Sequence, residues 1–363
     1  MKLHIFNPEH DIALASNLAN FTAPHAGRQL RANLGFLPAL WAADGDAVLV
    51  DDVASAERLW NVTDKKLKNV TIKQLKNRSQ KEVTFITGKQ PMDFSQMTAV
   101  DVWGWDRALK ASLQRKGVDA SLLPSDDYIE RVRQLSHRRT AAQLLPRLRQ
   151  EGTVGEAFEC STIDDVNLLL NNHGHVVVKA PWSSSGRGVR FVEADNLQPN
   201  FESWLRNILV RQGSVMVEPY YHKVKDFAME FSADGKGHIR YEGLSLFHTA
   251  NGAYVGNILA TEQTKRDMLS RYVSLSLIDS ICEAIIDYLY LEDYCGPLGI
   301  DMMVVRENDQ LLLHPCVEIN LRRTMGHVAL TLSPVDDGIC RVMRITYSNT
   351  YKLSLRKLHH SLT

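Results

Sequence analysis

The stretch "VVVKAPWSSSGRGVRFV", residues 176–192, places a lysine at the end of an apolar run and a loop of serine and glycine directly after it. Three β-branched residues before Lys179 predict a strand, and a second apolar run follows Gly188. Such a hairpin can close over phosphate groups with its backbone N–H groups, while Lys179 supplies a point charge from the strand end. An ordinary Gly/Ser turn is the alternative interpretation of the same residues.

Two familiar nucleotide-binding patterns do not fit this loop. A P-loop requires its lysine after the glycines, whereas Lys179 precedes both Gly186 and Gly188. A dinucleotide-binding G-x-G-x-x-G motif requires a third glycine where Phe191 stands, and a helix where a strand is predicted. The stretch therefore predicts a flap between two strands.

A second group of oxygen-bearing side chains lies in "GIDMMVVRENDQLLLHPCVEIN", residues 299–320. Glu318 and Asn320 are two residues apart, so a strand would place them on one face, and Asp301 on a paired strand can face them. Carboxylate and amide oxygens suit Mg²⁺ bridged to nucleotide phosphates, and Mn²⁺ fits the same ligands. A solvated sheet face is the alternative, but an unpaired carboxylate at Glu318 would be costly within its apolar run.

The elements that must position these residues fall into segments. Residues 1–124 alternate short apolar runs ("LHIF", "AVLV", "VTFIT", "AVDVW") with helical stretches, which predicts a doubly wound α/β domain with a parallel sheet. Residues 125–219 predict a compact α+β lobe that carries the flap. Residues 220–350 predict long strands joined by a turn at "ADGKG", a helix over 268–290, two more strands and a helical last part. Residues 351–363 predict a frayed polar tail.

Composition limits the partners. The chain has 363 residues, and its 42 basic and 42 acidic side chains cancel, so we expect neither nucleic acid nor a membrane surface as a partner. Five scattered cysteines without a C-x-x-C pair argue against a disulfide framework and a zinc site. The absence of a signal-peptide core and of a membrane-spanning run completes the expectation of a cytoplasmic protein.

Together the lysine flap and the acidic strands resemble the ATP-grasp superfamily, which includes carboxylate-amine and carboxylate-thiol ligases, over residues 125–329. That superfamily combines a basic residue opening its central lobe, a strand lysine, a glycine-rich flap, an acidic hinge and paired strands ending in E-x-N. The resemblance implies α/β and α+β architecture, namely an ATP-grasp fold preceded by a doubly wound α/β domain. It also implies ATP and Mg²⁺ as cofactors.

Carried over by position, the resemblance assigns roles to individual residues. It implies Asp301, Glu318 and Asn320 as metal ligands, and Lys179 and Arg322 as catalytic residues, with Arg322 holding the acceptor anion or the moving phosphoryl group. The implied nucleotide-binding residues are Arg138, Lys179, Ser183, Ser184, Ser185, Gly186, Gly188, Glu218, Tyr220, Tyr221 and Asp226.

Departures from the family pattern narrow the function. Arg138 replaces the commoner lysine, and Pro219 removes one backbone N–H from the hinge. His327 falls at the histidine spacing of the carboxylase and carbamoyl phosphate synthetase branch. Gly326, however, stands where biotin-dependent carboxylases have a glutamate base, and the sequence contains no biotinyl-carrier segment. Bicarbonate activation is therefore not expected.

The resemblance implies a ligase that activates a small-molecule carboxylate as an acyl phosphate and joins it to an amine, producing ADP and phosphate. A kinase on the same scaffold and a nucleotide-sensing module without turnover stay open as alternatives, and so does a homodimer. The intact set of lysine and metal ligands argues against the sensor.

Three further segments have two interpretations each. Asn7, Glu9, His10 and Asp11 crowd at the end of the first predicted strand, where doubly wound sheets bind ligands, but Asp11 or Ser16 could instead cap the next helix. "WGWD", residues 103–106, could line the same cleft or pack between domains. Residues 247–257 form either a loop that closes on the acceptor or a simple turn.

Overall fold

The computed structural model describes residues 1–68, 82–88, 94–183, 188–250 and 253–358, and these form three β-sheets with helices packed on them. The strands are β1 Lys2–Ile5, β2 Ala47–Val50, β3 Thr84–Thr87, β4 Ala99–Val102, β5 Phe158–Cys160, β6 His175–Lys179, β7 Val189–Glu193, β8 Val215–Pro219, β9 His222–Lys236, β10 Ile239–Ala250, β11 Ala253–Leu259, β12 Glu292–Glu307, β13 Gln310–Asn320, β14 Arg341–Ser348 and β15 Thr350–Lys357.

Eleven α-helices lie in the same described ranges. They are α1 His10–Ser16, α2 His25–Leu34, α3 Val53–Lys68, α4 Arg107–Arg115, α5 Asp126–Leu135, α6 Arg139–Leu148, α7 Ile163–His173, α8 Phe201–Gln212, α9 Glu262–Leu269, α10 Leu275–Tyr288 and α11 Met325–Leu332. None of them is both long and apolar enough to cross a bilayer.

The first sheet is parallel, with strand order β3-β2-β1-β4. The chain leaves β1 for β2 and β3 on one side and then returns to β4 on the other, which is the doubly wound connection that the alternating pattern predicts. The carboxyl ends of β1 and β4 therefore flank the point where the strand order reverses, the usual place for a ligand in such sheets.

The second sheet is antiparallel, with order β5-β8-β6-β7, and it carries the lysine flap. β6 ends at Lys179 and β7 begins at Val189, as predicted, because both strands present alternate apolar residues to a core shared with α7 and α8. This core contains Val176, Val178 and Val217 and is separate from the other hydrophobic clusters.

The third sheet has seven antiparallel strands in the order β13-β12-β9-β10-β11-β14-β15. One face is apolar and packs against α5, α6 and α10, with Phe227, Met229 and Phe231 of β9 fully buried there. The opposite face carries the acidic residues, and Asp301 of β12 lies directly across from Glu318 of β13. The predicted pairing of these two strands is thus present in the structure.

The helix expected over 268–290 is present as α10, Leu275–Tyr288, and it starts later than predicted because Ser274 caps it by accepting a hydrogen bond from the Leu277 N–H. The prediction for the end of the chain is wrong. The helical last part and the frayed tail are instead largely the β14–β15 hairpin, in which "RVMRITYS" and "TYKLSLRK" pair in register. Residues 359–363 lie outside the described residues.

The β14–β15 hairpin packs against the first domain. Met343 and Leu353 share one hydrophobic cluster with Phe6, Leu34 and Leu37. The hairpin is also hydrogen-bonded to α2: the Tyr351 N–H donates to the side-chain amide oxygen of Asn33 at 2.9 Å. The first domain and the seven-stranded sheet therefore share a core.

Candidate functional site

Lys179 is paired with the hinge glutamate. β6 and β8 are neighbours, and the Lys179 ammonium donates to both carboxylate oxygens of Glu218, at 2.6 and 2.5 Å. Both side chains are buried. The predicted phosphate lysine thus stands at the strand end with its charge balanced inside the protein.

Arg138 joins the flap to the predicted metal site. The residue lies at the N-cap position of α6, and its guanidinium donates to the Glu318 carboxylate at 2.9 Å and to the Ser183 hydroxyl at 3.0 Å. It also donates to the carbonyl of Ala180. Predicted phosphate-binding and metal-binding residues from separate parts of the sequence are therefore in direct contact.

Arg322 is held by an aspartate from the first domain. Its Nε and Nη2 donate to the two oxygens of Asp11 at 2.7 and 2.8 Å, and Nη2 also donates to the amide oxygen of Asn320 at 2.8 Å. Burial alone would raise the pKa of Asp11, but the charge and hydrogen bonds of Arg322 lower it. Asp11 lies in the first turn of α1 and is committed to Arg322, so the helix-capping interpretation of this residue is wrong.

These contacts define a group of three ion pairs: Lys179–Glu218, Arg138–Glu318 and Arg322–Asp11. In each pair the cation is one that the sequence predicts to bind an anion of the substrates. A cleft reaches one member of each of the last two pairs, since its lining includes Asp11, Ser183, Glu318 and Asn320. Each of the three cations is thus held by a carboxylate.

Asp301 completes the predicted metal ligands. Burial, followed by the charges of Glu318 and Glu230, raises the pKa of Asp301 to about 8. The Asn320 amide donates to Asp301 at 3.2 Å. A divalent cation would offset the repulsion from Glu318 that keeps Asp301 protonated, so these residues fit Mg²⁺.

No group of three or more histidine, cysteine, aspartate or glutamate side chains in the described ranges is placed to hold a metal ion. A magnesium ion at Asp301 and Glu318 would therefore complete its coordination with Asn320, phosphate oxygens and water, as is usual for this ion in nucleotide sites.

The raised pKa of Asp301 predicts a dependence of stability on pH. Between its ordinary value of 3.8 and about 8, the folded protein retains a proton that the unfolded chain has released. The free energy of unfolding should therefore fall as the pH rises through this window without Mg²⁺. Urea titrations at pH 5 and pH 8 should give a smaller fall for Asp301→Asn than for the wild type. An equal fall in both proteins would contradict the raised pKa.

Tyr220, Tyr221 and Asp226, which are also predicted to bind the nucleotide, contact residues outside the three ion pairs. Tyr220 stacks on His175 with 3.9 Å between ring centroids, and burial raises the pKa of Tyr221, which packs edge-on against His314. Asp226 accepts hydrogen bonds from Lys223 and Thr249. Their roles stay predictions. Ser184, Ser185 and Gly186 lie outside the described residues.

Gly188 closes the hairpin after the flap. The Ala180 N–H donates to its carbonyl at 2.7 Å, and a Cβ at position 188 would lie 2.4 Å from the Ser183 side chain. A glycine is therefore required where the returning strand passes Ser183.

The strand-end motifs of the first domain meet one another. The Asn7 amide donates to the Gly104 carbonyl at 2.8 Å and to Asp106 at 3.2 Å, while Asp106 caps α4. His10 is buried beside them. Trp103 packs edge-on against Phe6, which is the packing interpretation of the "WGWD" motif.

Residues 247–257 form the connected ends of β10 and β11. Asn257 is buried, and its amide donates to the Ser245 hydroxyl at 2.8 Å. The described part of this segment is paired antiparallel strand, and its role at the acceptor stays a prediction. Asn251 and Gly252 lie outside the described residues.

Sequence reasoning missed Glu230. This residue is 1% exposed on β9, faces the same side of the sheet as Asp301, and lies 3.0 Å from His327. The available signal was the alternation "FAMEFS", in which Glu230 is the one charged residue opposite an apolar face. Gly326, where a glutamate base was noted as absent, is adjacent to this carboxylate.

Gly326 should tolerate no side chain. A Cβ there would lie 1.7 Å from the Glu230 carboxylate and 2.6 Å from the Ser245 hydroxyl. We expect Gly326→Ala to lower the free energy of unfolding by about 1–3 kcal/mol through overpacking. Gly338→Ala is the matched control, because nothing lies within 4 Å of a Cβ at that position. Equal urea midpoints for the two variants would show that the Glu230 carboxylate is not fixed there.

Neither a protein-family model nor a curated protein sequence matches the chain. Solved structures similar to the chain are found at low identity. N5-carboxyaminoimidazole synthetase from Staphylococcus aureus with ADP is 12% identical over 84% of this chain and 83% of that one, with a TM-score of 0.44. Biotin carboxylase from Campylobacter jejuni is 15% identical over 75% and 72%, with a TM-score of 0.47. D-alanyl-alanine synthetase A from Vibrio cholerae is 14% identical over 77% and 89%, with a TM-score of 0.39.

Proposed function

We propose that the protein is an ATP- and Mg²⁺-dependent ligase that activates a carboxylate as an acyl phosphate and joins it to an amine, releasing ADP and phosphate. The observation that carries this proposal is the position of Arg138, whose guanidinium contacts both Ser183 of the flap and the predicted metal ligand Glu318. A cation between a phosphate-binding loop and a metal ligand is what transfer of a phosphoryl group requires.

Binding of Mg²⁺ and ATP would exchange partners within the existing pairs. Glu318 and Asp301 would hold the metal, which supplies charge neutralisation at the β- and γ-phosphates. Arg138 and Lys179 would then bind phosphate oxygens. Glu318 would exchange Arg138 for the metal, and Lys179 would have to contact both Glu218 and a phosphate oxygen so that the buried Glu218 carboxylate keeps its partner.

The chemistry needs positioning more than a protein nucleophile. A carboxylate oxygen of the acid, oriented by Arg322, attacks the γ-phosphorus, and the bond between that phosphorus and the ADP oxygen breaks. The amine then attacks the acyl carbon, the carbon–oxygen bond to phosphate breaks, and the proton of the amine leaves with phosphate or water. Arg322 is suited to the first step because the hydrogen bond from its Nη2 to Asn320 helps to orient its guanidinium.

Trapping with hydroxylamine tests the acyl phosphate. With Mg²⁺, ATP and pooled small acids, but no amine, hydroxylamine should convert the mixed anhydride to a stable hydroxamate as ADP appears. Arg322→Ala should reduce the hydroxamate much more than it weakens ATP binding. The contact of Arg322 with the predicted nucleotide site is indirect, through the metal ligand Asn320. The matched control is Arg240→Ala, because Arg240 lies exposed on β10 and pairs with Glu242.

A kinase would give a different result in the same assay. A phosphate ester formed on a hydroxyl does not react with hydroxylamine, so ADP release with a turnover-supporting acceptor and no hydroxamate would replace the ligase with the kinase.

A further inference from the structure

We propose that the acid activated in this cleft is an α-amino acid, with its carboxylate bound by Arg322 and its ammonium group bound by Asp11. The inference rests on the proposed ligase function and names the substrate class of the same site. It is carried by the Arg322–Asp11 pair, in which Asp11 lines the cleft and Arg322 lies directly behind it, bonded to two lining residues, Asp11 and Asn320.

The two side chains are reachable by a ligand. Arg322 is 18% exposed at its side chain and Asp11 is 17% exposed, so each is largely desolvated but keeps some solvent access. Asp11 is also the one charged residue that the first domain contributes to the described lining. The carboxylate therefore stands where a substrate entering between the domains would pass.

Partner exchange decides which acid fits. A simple carboxylate that takes Arg322 from Asp11 would leave the Asp11 charge without a partner in a largely desolvated place, and that costs free energy. A zwitterion supplies both partners at once, because its carboxylate binds Arg322 and its ammonium group binds Asp11. A site of this kind discriminates strongly against analogues that lack the second charge.

Contacts other than the Asp11–Arg322 pair also join the first domain to the rest of the chain. The same boundary is joined by Arg323, which contacts Asp101 at 3.3 Å and lies over the ring of Trp41. The hydrophobic cluster of Phe6 and Met343 also crosses it. Asp101→Asn is therefore a matched control, as it weakens an aspartate–arginine contact at the same boundary away from the cleft lining.

An amino acid would be activated by the same transfer of the γ-phosphoryl group. The carboxylate oxygen of the amino acid forms a bond to the γ-phosphorus, and ADP leaves with the electrons of the broken phosphorus–oxygen bond. The ammonium group keeps its proton while it is bound to Asp11, so it does not attack its own acyl group. The attacking amine belongs to the second substrate.

The test compares three probe sets in the hydroxylamine assay: the standard amino acids in both enantiomers, their N-acetyl derivatives and the matching acids without an amino group. At least one amino acid should give hydroxamate about 100-fold faster than its two counterparts that lack the ammonium charge. Asp11→Asn should reduce that ratio to about tenfold or less, while Asp101→Asn should keep it.

The outcomes separate this inference from the ligase proposal. Hydroxamate formed equally well from an acid without an amino group would overturn the amino-acid assignment and leave the ligase intact. An unchanged ratio in Asp11→Asn would also overturn it. If none of the acids in any set gives hydroxamate while the protein binds Mg-ATP, both the ligase function and the substrate class are wrong.

Discussion

Replacing Glu318 by glutamine is expected to lower ATP turnover about 1,000-fold, because the change removes a charge from both the metal site and the pairing with Arg138. Glutamine keeps the size of the side chain and an oxygen that can still accept the hydrogen bond from Arg138. The fold should therefore survive, since the β12–β13 pairing that positions residue 318 is made by the backbone. The loss should be one of chemistry rather than of structure.

Thermal unfolding with and without Mg-ATP measures how much Glu318 contributes to the binding of the metal and the nucleotide. The wild type should gain about 2.7 kcal/mol at a ligand concentration 100 times the dissociation constant. Glu318→Gln should lose the Mg²⁺-dependent share of that gain, whereas Glu283→Gln, at an exposed position of α10, should keep it. A wild-type unfolding curve that Mg-ATP leaves unmoved would remove the basis of the proposed function.

Replacing Lys179 by methionine is expected to abolish ATP binding and to destabilise the fold by about 3–5 kcal/mol. The destabilisation arises because Glu218, which is 4% exposed, would be left as a buried carboxylate without its partner. A single variant therefore cannot separate the structural role of Lys179 from its predicted role at the phosphates.

The double variant Lys179→Met/Glu218→Met separates them. Apolar replacement of both members of a buried pair is often neutral or stabilising, so the double variant should recover most of the lost free energy of unfolding. It should still fail to bind ATP in calorimetry, because no cation remains at the strand end. Nucleotide binding by this double variant would show that Lys179 is a structural partner of Glu218 only.

Local sequence pattern was sufficient for the parts of the site that depend on one strand at a time. The period of two in "CVEIN" places Glu318 and Asn320 at the same edge, and the apolar run before Lys179 places that residue at a strand end. The antiparallel pairing of β12 and β13 then follows from their closeness in sequence. These predictions required no knowledge of the rest of the chain.

Contacts between distant segments could not be predicted in this way. Arg322 and Asp11 are 311 residues apart, and Lys179 and Glu218 are 39 residues apart, so their pairing depends on how domains and sheets are arranged. Glu230 was missed for a related reason. A single acidic residue in an alternating strand is expected to face solvent, and the sequence does not show that α11 covers this face of the sheet. The same uncertainty about packing made the β14–β15 hairpin look like a helix and a tail.

The shared hydrophobic cluster of the first domain and the β14–β15 hairpin has a consequence for biosynthesis. Leu34 and Leu37 need Met343 and Leu353 to complete their packing, yet these partners are translated after every other described strand. During synthesis we therefore expect part of the apolar surface of the first domain to stay exposed until β14 and β15 have been translated. A nascent chain released before β14 should bind chaperones through this surface, and its first domain should be cleaved readily by proteases.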